Sequence, residues 1–178
     1  MRRALFLAAL LVPLTATAQE YRPAYERDEQ QQYEDIPELV LVYFGQSTCI
    51  PCQDPAFKSD LERAKVLLTE RAALEGKSFS VVGAALDWSI EDGMAFLATS
   101  GAFDEIAVGR NWGNTTARLH LWRPDGLEER MIAIPSVMVF ERARTPGSPT
   151  ALGEPTYRFE VAGAAAMADW VAAGAPLD

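Results

Sequence analysis

Cys49 and Cys52 are the only cysteines of the chain, and the stretch Gln46-Ser47-Thr48-Cys49-Ile50-Pro51-Cys52 sets them two residues apart. Thiols at this spacing can close a small ring, reopen it and so pass two electrons. As a structural staple the pair is weak, because a very short loop removes little entropy from the unfolded chain. Structural zinc takes four Cys, His or carboxylate ligands, and the chain holds a single histidine, His120. Redox exchange is the chemistry that the spacing favours, with no metal and no cofactor expected.

The elements that must position the pair are legible on either side. Glu38 to Phe44 is a continuous apolar run of strand length, the pattern of a strand covered on both faces. From Pro55 onward, Phe57, Leu61, Ala64, Leu67 and Leu68 recur at helical steps, and this helix is expected to end before Gly76. Phe79 to Leu86 reads as a second buried strand. Ser89 is placed to cap a helix from Ile90, with Met94, Phe96 and Leu97 on its apolar side. Residues 102–116 carry no clear period. Arg118 to Trp122 alternates weakly and runs into a Pro124-Asp125-Gly126 turn. Ile134 to Phe140 is the next strand, Thr145 to Pro155 a Gly/Pro-rich loop, and Tyr157 to Val161 a further strand. Gly163 to Ala173 closes the chain as a helix with Met167, Trp170 and Val171 inward. Strands linked by helical crossovers should pair in parallel, and the last two, linked by a loop, antiparallel.

The first residues point to export. Arg2 and Arg3 precede an apolar run, Ala4 to Leu14, too short to span a bilayer, followed by Ala16-Thr17-Ala18. That is the layout of a secretory signal peptide over 1–18, with cleavage near Ala18 and a periplasmic or secreted mature chain. Residues 19–37 read as a polar arm or short helix. The formal charge of −9 becomes −11 when Arg2 and Arg3 leave with the leader. This acidity argues against nucleic acid as a partner, since its binders need basic surface.

Three features together resemble the thioredoxin superfamily, in particular its exported, periplasmic-type members. They are the strand-turn-Cys49-Ile50-Pro51-Cys52-helix junction, Ile134-Pro135-Ser136 entering an apolar strand, and the order strand, strand, terminal helix after that proline. The resemblance implies an α/β, thioredoxin-like fold: a central mixed four- to five-stranded sheet flanked by helices. The domain would span 38–175, with an inserted helical region at about 89–132. It implies a thiol–disulfide oxidoreductase with a redox-active Cys49–Cys52 disulfide. Cys49, just before a helix, would be the nucleophile, its thiolate favoured by unpaired backbone N–H groups and the helix dipole. Cys52, one turn on, would resolve the mixed disulfide. Thr48, Ile50 and Pro51 form the supporting loop, and Pro51 suits a first helical turn. X-Pro bonds are cis in only about one case in twenty, so composition alone makes Pro135 trans, whereas the resemblance makes it cis. Ile134 would then offer its backbone to an extended substrate segment. A protein disulfide is the implied substrate, and a reducing role needs electrons from a membrane thiol carrier.

The chain departs from that family pattern at two places. Thr48 stands where Trp is usual, and Tyr43 where a buried Asp assists proton transfer to the second cysteine. Glu38, Asp54 and water are the remaining candidate acceptors. Two other readings stay open: a copper-handling protein using Cys49, Cys52 and His120, since soft thiolates suit Cu(I), and a binding module with a static disulfide. Trp112, in Arg110-Asn111-Trp112-Gly113-Asn114, reads as a side chain capping the core, because large aromatics are mostly buried, with a surface recognition loop as the alternative. His120 reads as a half-buried histidine of a strand or helix.

Overall fold

The computed structural model describes residues 37–121, 133–143 and 153–177. The expected signal peptide, nearly all of the expected polar arm, the expected turn at Pro124-Asp125-Gly126 and most of the expected Gly/Pro-rich loop lie outside the described residues.

The apolar run at the start of the domain forms β1 (Glu38–Gly45), and every residue of it is buried. Period-2 geometry sends Leu39, Leu41 and Tyr43 to one face of the sheet and Val40, Val42 and Phe44 to the other, so both faces carry core. A four-residue helix, α1 (Ile50–Gln53), follows the turn. Asp54 stops it with extended backbone and caps the next helix, α2 (Pro55–Leu74), by accepting the Ala56 N–H at 2.9 Å. Pro55 therefore begins a separate helix. Phe57, Leu61, Ala64, Lys65, Leu68 and Ala72 make its buried stripe.

β2 (Ser78–Ala85) is wholly buried and pairs in parallel with β1, from Glu38 against Ser78 to Gly45 against Ala85. Ser89 caps α3 (Ile90–Ser100) by accepting the Asp92 N–H at 3.0 Å. Phe96 and Leu97 are buried, but Met94 lies half exposed, contrary to the apolar face expected of it: the helix buries a narrow stripe that also includes Gly93 and Ser100.

The segment expected to be an inserted helical region also holds a strand. β3 (Glu105–Ala107) joins the edge of the sheet parallel to β2. Three exposed or half-exposed residues leave no alternation to read. The weak alternation at 118–122 is not a strand either: α4 (Thr115–His120) covers most of it, capped by Asn114, whose side chain accepts the Ala117 N–H at 2.8 Å.

β4 (Ser136–Arg142) runs antiparallel to β1, and β5 (Thr156–Ala162) antiparallel to β4. The mixed sheet has five strands in the order β3-β2-β1-β4-β5, flanked by helices as the resemblance implies. The last helix, α5 (Ala164–Ala172), buries Met167, Trp170 and Val171. Helices α2, α3 and α5 build the core on the face of Leu41 and Tyr43, while α4 contributes Ala117 to the face of Val42 and Phe44.

One consequence of this register governs the site. The C-terminal ends of β1 and β2 lie side by side, with Leu86 N–H donating to Gly45 C=O at 2.8 Å. Phe44 pairs with Ser136, so β4 enters at that same end. The Cys49 turn, the residues after β2 and the Ile134–Pro135 step all gather there.

Candidate redox site

Cys49 and Cys52 are joined by a disulfide at the turn between β1 and α2. The two cysteines differ in setting. Cys52 is fully buried in the core that contains Tyr43 and Phe57, whereas Cys49 is part-exposed. Cys49 is the N-cap of α1, and its Sγ accepts the Cys52 N–H at 3.2 Å. The helix expected to favour a Cys49 thiolate is thus one turn long, ended by Asp54. Its macrodipole is correspondingly small, and the direct N–H contact from Cys52 is the stronger device.

The loop is fixed from below by a residue that the sequence reading left without a role. Asp87, buried just past the end of β2, accepts the Ser47 N–H at 3.1 Å and also the Ser47 hydroxyl. Gln53 donates its side-chain amide to Ser47 C=O. Ser47 is therefore held on both its N–H and its C=O, two residues before Cys49. The signal available in the sequence was an Asp at the exit of a buried apolar strand, where a charge needs a partner. Thr48, Ile50 and Pro51 face solvent on the rim of this loop.

The Ile134–Pro135 peptide bond is cis. Pro135 is buried and accepts the Gly163 N–H through its C=O at 2.7 Å, while Ile134 is part-buried and packs against both cores.

The proposed proton acceptors fare differently. Glu38 sits at the opposite end of β1 and pairs with Arg142 at 2.7 Å, so it is corrected out of the site. Asp54 is adjacent to the site but spends its carboxylate on capping α2. Tyr43 lies buried among Phe57, Phe96 and Phe103, at centroid distances of 5.7, 6.3 and 6.1 Å. Burial raises its hydroxyl above the ordinary phenol range, Ser100 works against that, and the charge of Asp87 adds to it. A neutral phenol here cannot take the part of a buried carboxylate.

His120 is not brought to the cysteines. It packs on Phe140 with ring centroids 4.3 Å apart, and Phe140 pairs with Val40, five residues back along β1 from Gly45. At about 3.3 Å per strand residue, this puts the ring far from the disulfide, beside a cavity of about 490 Å³ lined by Val42, Phe140 and Arg142. The two-cysteine, one-histidine copper set is therefore not assembled. Trp112 is also corrected: it does not cap the core but stands half exposed, its ring edge-on to Trp88 at 4.7 Å.

The fold and site together define a mixed α/β domain with a disulfide at a strand-to-helix junction. No protein-family model matches the chain, and no curated protein matches it. Among solved structures it is similar to a putative thiol:disulfide interchange protein DsbE from Chlorobium tepidum, at 18% identity and a TM-score of 0.41, over 78% of this chain and 81% of that one. It is also similar to the thioredoxin domain of a thiol-disulfide oxidoreductase from Bacteroides vulgatus, at 15% identity and a TM-score of 0.37, over 78% and 80%. No helix among the described residues is long and apolar enough to cross a membrane.

Proposed function

We propose that this chain is an exported thiol–disulfide oxidoreductase acting on protein disulfides through Cys49 and Cys52. The observation that carries the reading is the asymmetry of the pair: a part-exposed cysteine at a helix start and a fully buried partner within one turn. An outer sulfur that meets the substrate and an inner one that resolves the product is what two-step exchange requires.

In the reducing direction the Cys49 thiolate attacks one sulfur of a substrate disulfide. That S–S bond breaks, a Cys49–substrate disulfide forms, and the other substrate sulfur leaves as a thiolate that takes up a proton. Cys52 then loses its proton and attacks the Cys49 sulfur, which releases the second substrate thiolate, in turn protonated. The substrate gains two electrons and two protons, and the chain ends as the Cys49–Cys52 disulfide. The Cys52 N–H stabilises the thiolate form of Cys49 as nucleophile and as leaving group. Ile134 and Pro135, at the same end of the sheet, are read as the strand edge against which an extended substrate segment lies. Residues 1–18 are read as a leader that takes the chain out of the cytoplasm, where a membrane thiol carrier would supply electrons for the reducing direction. Residues 89–132 are read as the insertion that shapes partner choice.

Equilibration of the purified protein with glutathione buffers, with and without Cu(I), tests this reading. Exchange at a potential above about −300 mV, where catalytic rather than structural disulfides lie, is the expected result. A disulfide that stays closed throughout the series leaves the static binding module instead.

A further inference from the structure

Resting on the oxidoreductase reading, we infer that Trp88 and Trp112 form a docking platform for the polypeptide that flanks the substrate cysteine. The favoured flank is an apolar one carrying Lys or Arg. The mechanism above uses neither indole. Trp170, by contrast, is 5% exposed and part of the core, whereas Trp88 is 59% and Trp112 49% exposed. Two indoles that meet edge to face in solvent, 4.7 Å apart, present aromatic surface that the fold itself leaves unburied.

The loop is built to hold that arrangement. Asn111 and Trp112 both take left-handed backbone, at φ of 54° and 61°. Asn tolerates this region, but a residue as bulky as Trp enters it only when its surroundings over-determine it. Here they do. Asn111 N–H donates to Trp88 C=O at 3.0 Å, and Trp112 N–H to Asp87 C=O at 2.9 Å. Gly113 N–H closes the turn on Arg110 C=O at 3.1 Å, and Gly109 lies so close that a Cβ there would meet the Gly113 carbonyl carbon at 2.7 Å.

The platform is continuous with the exchange loop through one residue. Asp87 holds the Trp112 amide by its backbone carbonyl and Ser47 by its carboxylate. The backbone that carries Trp112 and the loop that presents Cys49 are therefore anchored on the same residue. Ile50, between the cysteines and 86% exposed, adds apolar surface at the same end of the sheet.

Charge selects the occupant. Glu91 and Asp92 are exposed in the first turn of α3, two and three residues beyond Ser89, and outnumber the exposed cation of the Trp112 loop, Arg110; the chain carries −9 overall. A basic side chain from the substrate gains both this field and the indole faces, by cation–π contact. A second copy of this acidic chain is repelled by the same field.

A binding measurement separates this inference from the exchange reading. The ligand is a Leu- and Lys-rich peptide with Ser in place of its cysteine, so that no exchange can occur. Its affinity for the oxidised full chain is read by calorimetry, beside a version with Glu for Lys. Substitution of both indoles (W88A with W112A) is expected to weaken binding of the basic peptide at least about tenfold, the cost typical of a central aromatic anchor. The W88F/W112F pair should restore most of it, and thermal melts confirm that each variant folds. The Glu peptide should bind more weakly, and added salt, which screens charge, should weaken the Lys peptide but not the Glu peptide. Equal affinity of the Ala pair and the wild type, or indole-dependent self-association in sedimentation, overturns the platform. Small-disulfide reduction by the wild type tests the exchange reading alone. Indole-dependent peptide binding supports the platform even where that exchange is absent, and exchange without peptide binding sinks it.

Discussion

Ser47 and Asp87, forty residues apart in sequence, are joined twice: the Ser47 N–H and hydroxyl both donate to the buried Asp87 carboxylate. This contact ties the turn that presents Cys49 to the end of the neighbouring strand. Removal of the carboxylate leaves a backbone N–H and a hydroxyl to find new partners. Asp87→Ala is expected to cost about 1–3 kcal/mol, the range for a buried hydrogen-bonding group left unsatisfied. Asp87→Asn, which keeps one acceptor oxygen, should recover part of that loss. Urea unfolding of the oxidised proteins measures the stability, and a matching shift in disulfide potential between the two variants identifies Asp87 as a positioning residue for the loop. An unchanged potential in both would leave it a purely structural one.

The unequal exposure of the two cysteines predicts an order of reaction. In the reduced protein, iodoacetamide should modify Cys49 first, because Cys52 has no accessible surface. Cys52→Ser should accumulate a mixed disulfide with a protein substrate, visible by mass spectrometry, since nothing remains to attack the Cys49 sulfur. Cys49→Ser should reduce exchange to the background rate. Faster labelling of Cys52 would reverse the assigned roles.

Lys65 carries a third prediction. Its side chain is fully buried against the residues that follow α3, with the ammonium donating to Glu62 at 2.6 Å and to Ala102 C=O at 2.7 Å and lying 4.6 Å from the Phe103 ring centroid. Burial pushes its pKa below the ordinary 10.5, against the pull of Glu62 and Asp104. The unfolded chain therefore binds more protons than the folded one between the depressed value and 10.5, and stability contributed by this group rises with pH across that window. Compared with Lys65→Met, the wild type should gain relative stability as pH climbs toward 10.5. The comparison cancels Tyr43, whose raised hydroxyl acts with the opposite sign: its contribution is complete below pH 10 and is lost above it. Urea midpoints of both proteins at several alkaline pH values give the slope, and parallel curves would refute the assignment.

Gly45 sits tight against the rings of Tyr43 and Phe96. A Cβ there would strike the Tyr43 hydroxyl, and would stand 2.6 Å from its Cζ and 2.8 Å from Cζ of Phe96. Gly45→Ala must displace one of those rings, and overpacking of this kind costs about 1–3 kcal/mol. A lowered melting temperature that Tyr43→Phe partly restores, by removing the first obstruction, is the expected double-mutant result. No restoration would mean that Phe96 is the ring that has to move.

Local pattern made a good part of this molecule readable. The apolar run from Glu38, the helical steps from Pro55 onward and the Ser89 cap each rest on residues adjacent in sequence, and each has its counterpart in the structure. β3 and α4 were not readable in the same way. Three and six residues are too few to show a period, and they form because a neighbouring strand edge and the Asn114 cap receive them. Met94 and Trp112 misled because apolar character says only that burial is favourable, not that a surface is present to provide it.

The sequence by itself determined which groups are at hand for chemistry: two thiols at a fixed short spacing, beside a strand, in a chain with one histidine. Covalent neighbours set that spacing, and no packing is needed to read it. Only the tertiary structure decided which groups surround the pair. It carried Glu38 and His120 away, drew Asp87 under Ser47, and stood Trp88 against Trp112 on the same flank. The reason is register. Parallel pairing of β1 with β2 aligns the end of one strand with the end of another forty residues later, and no local pattern encodes that alignment.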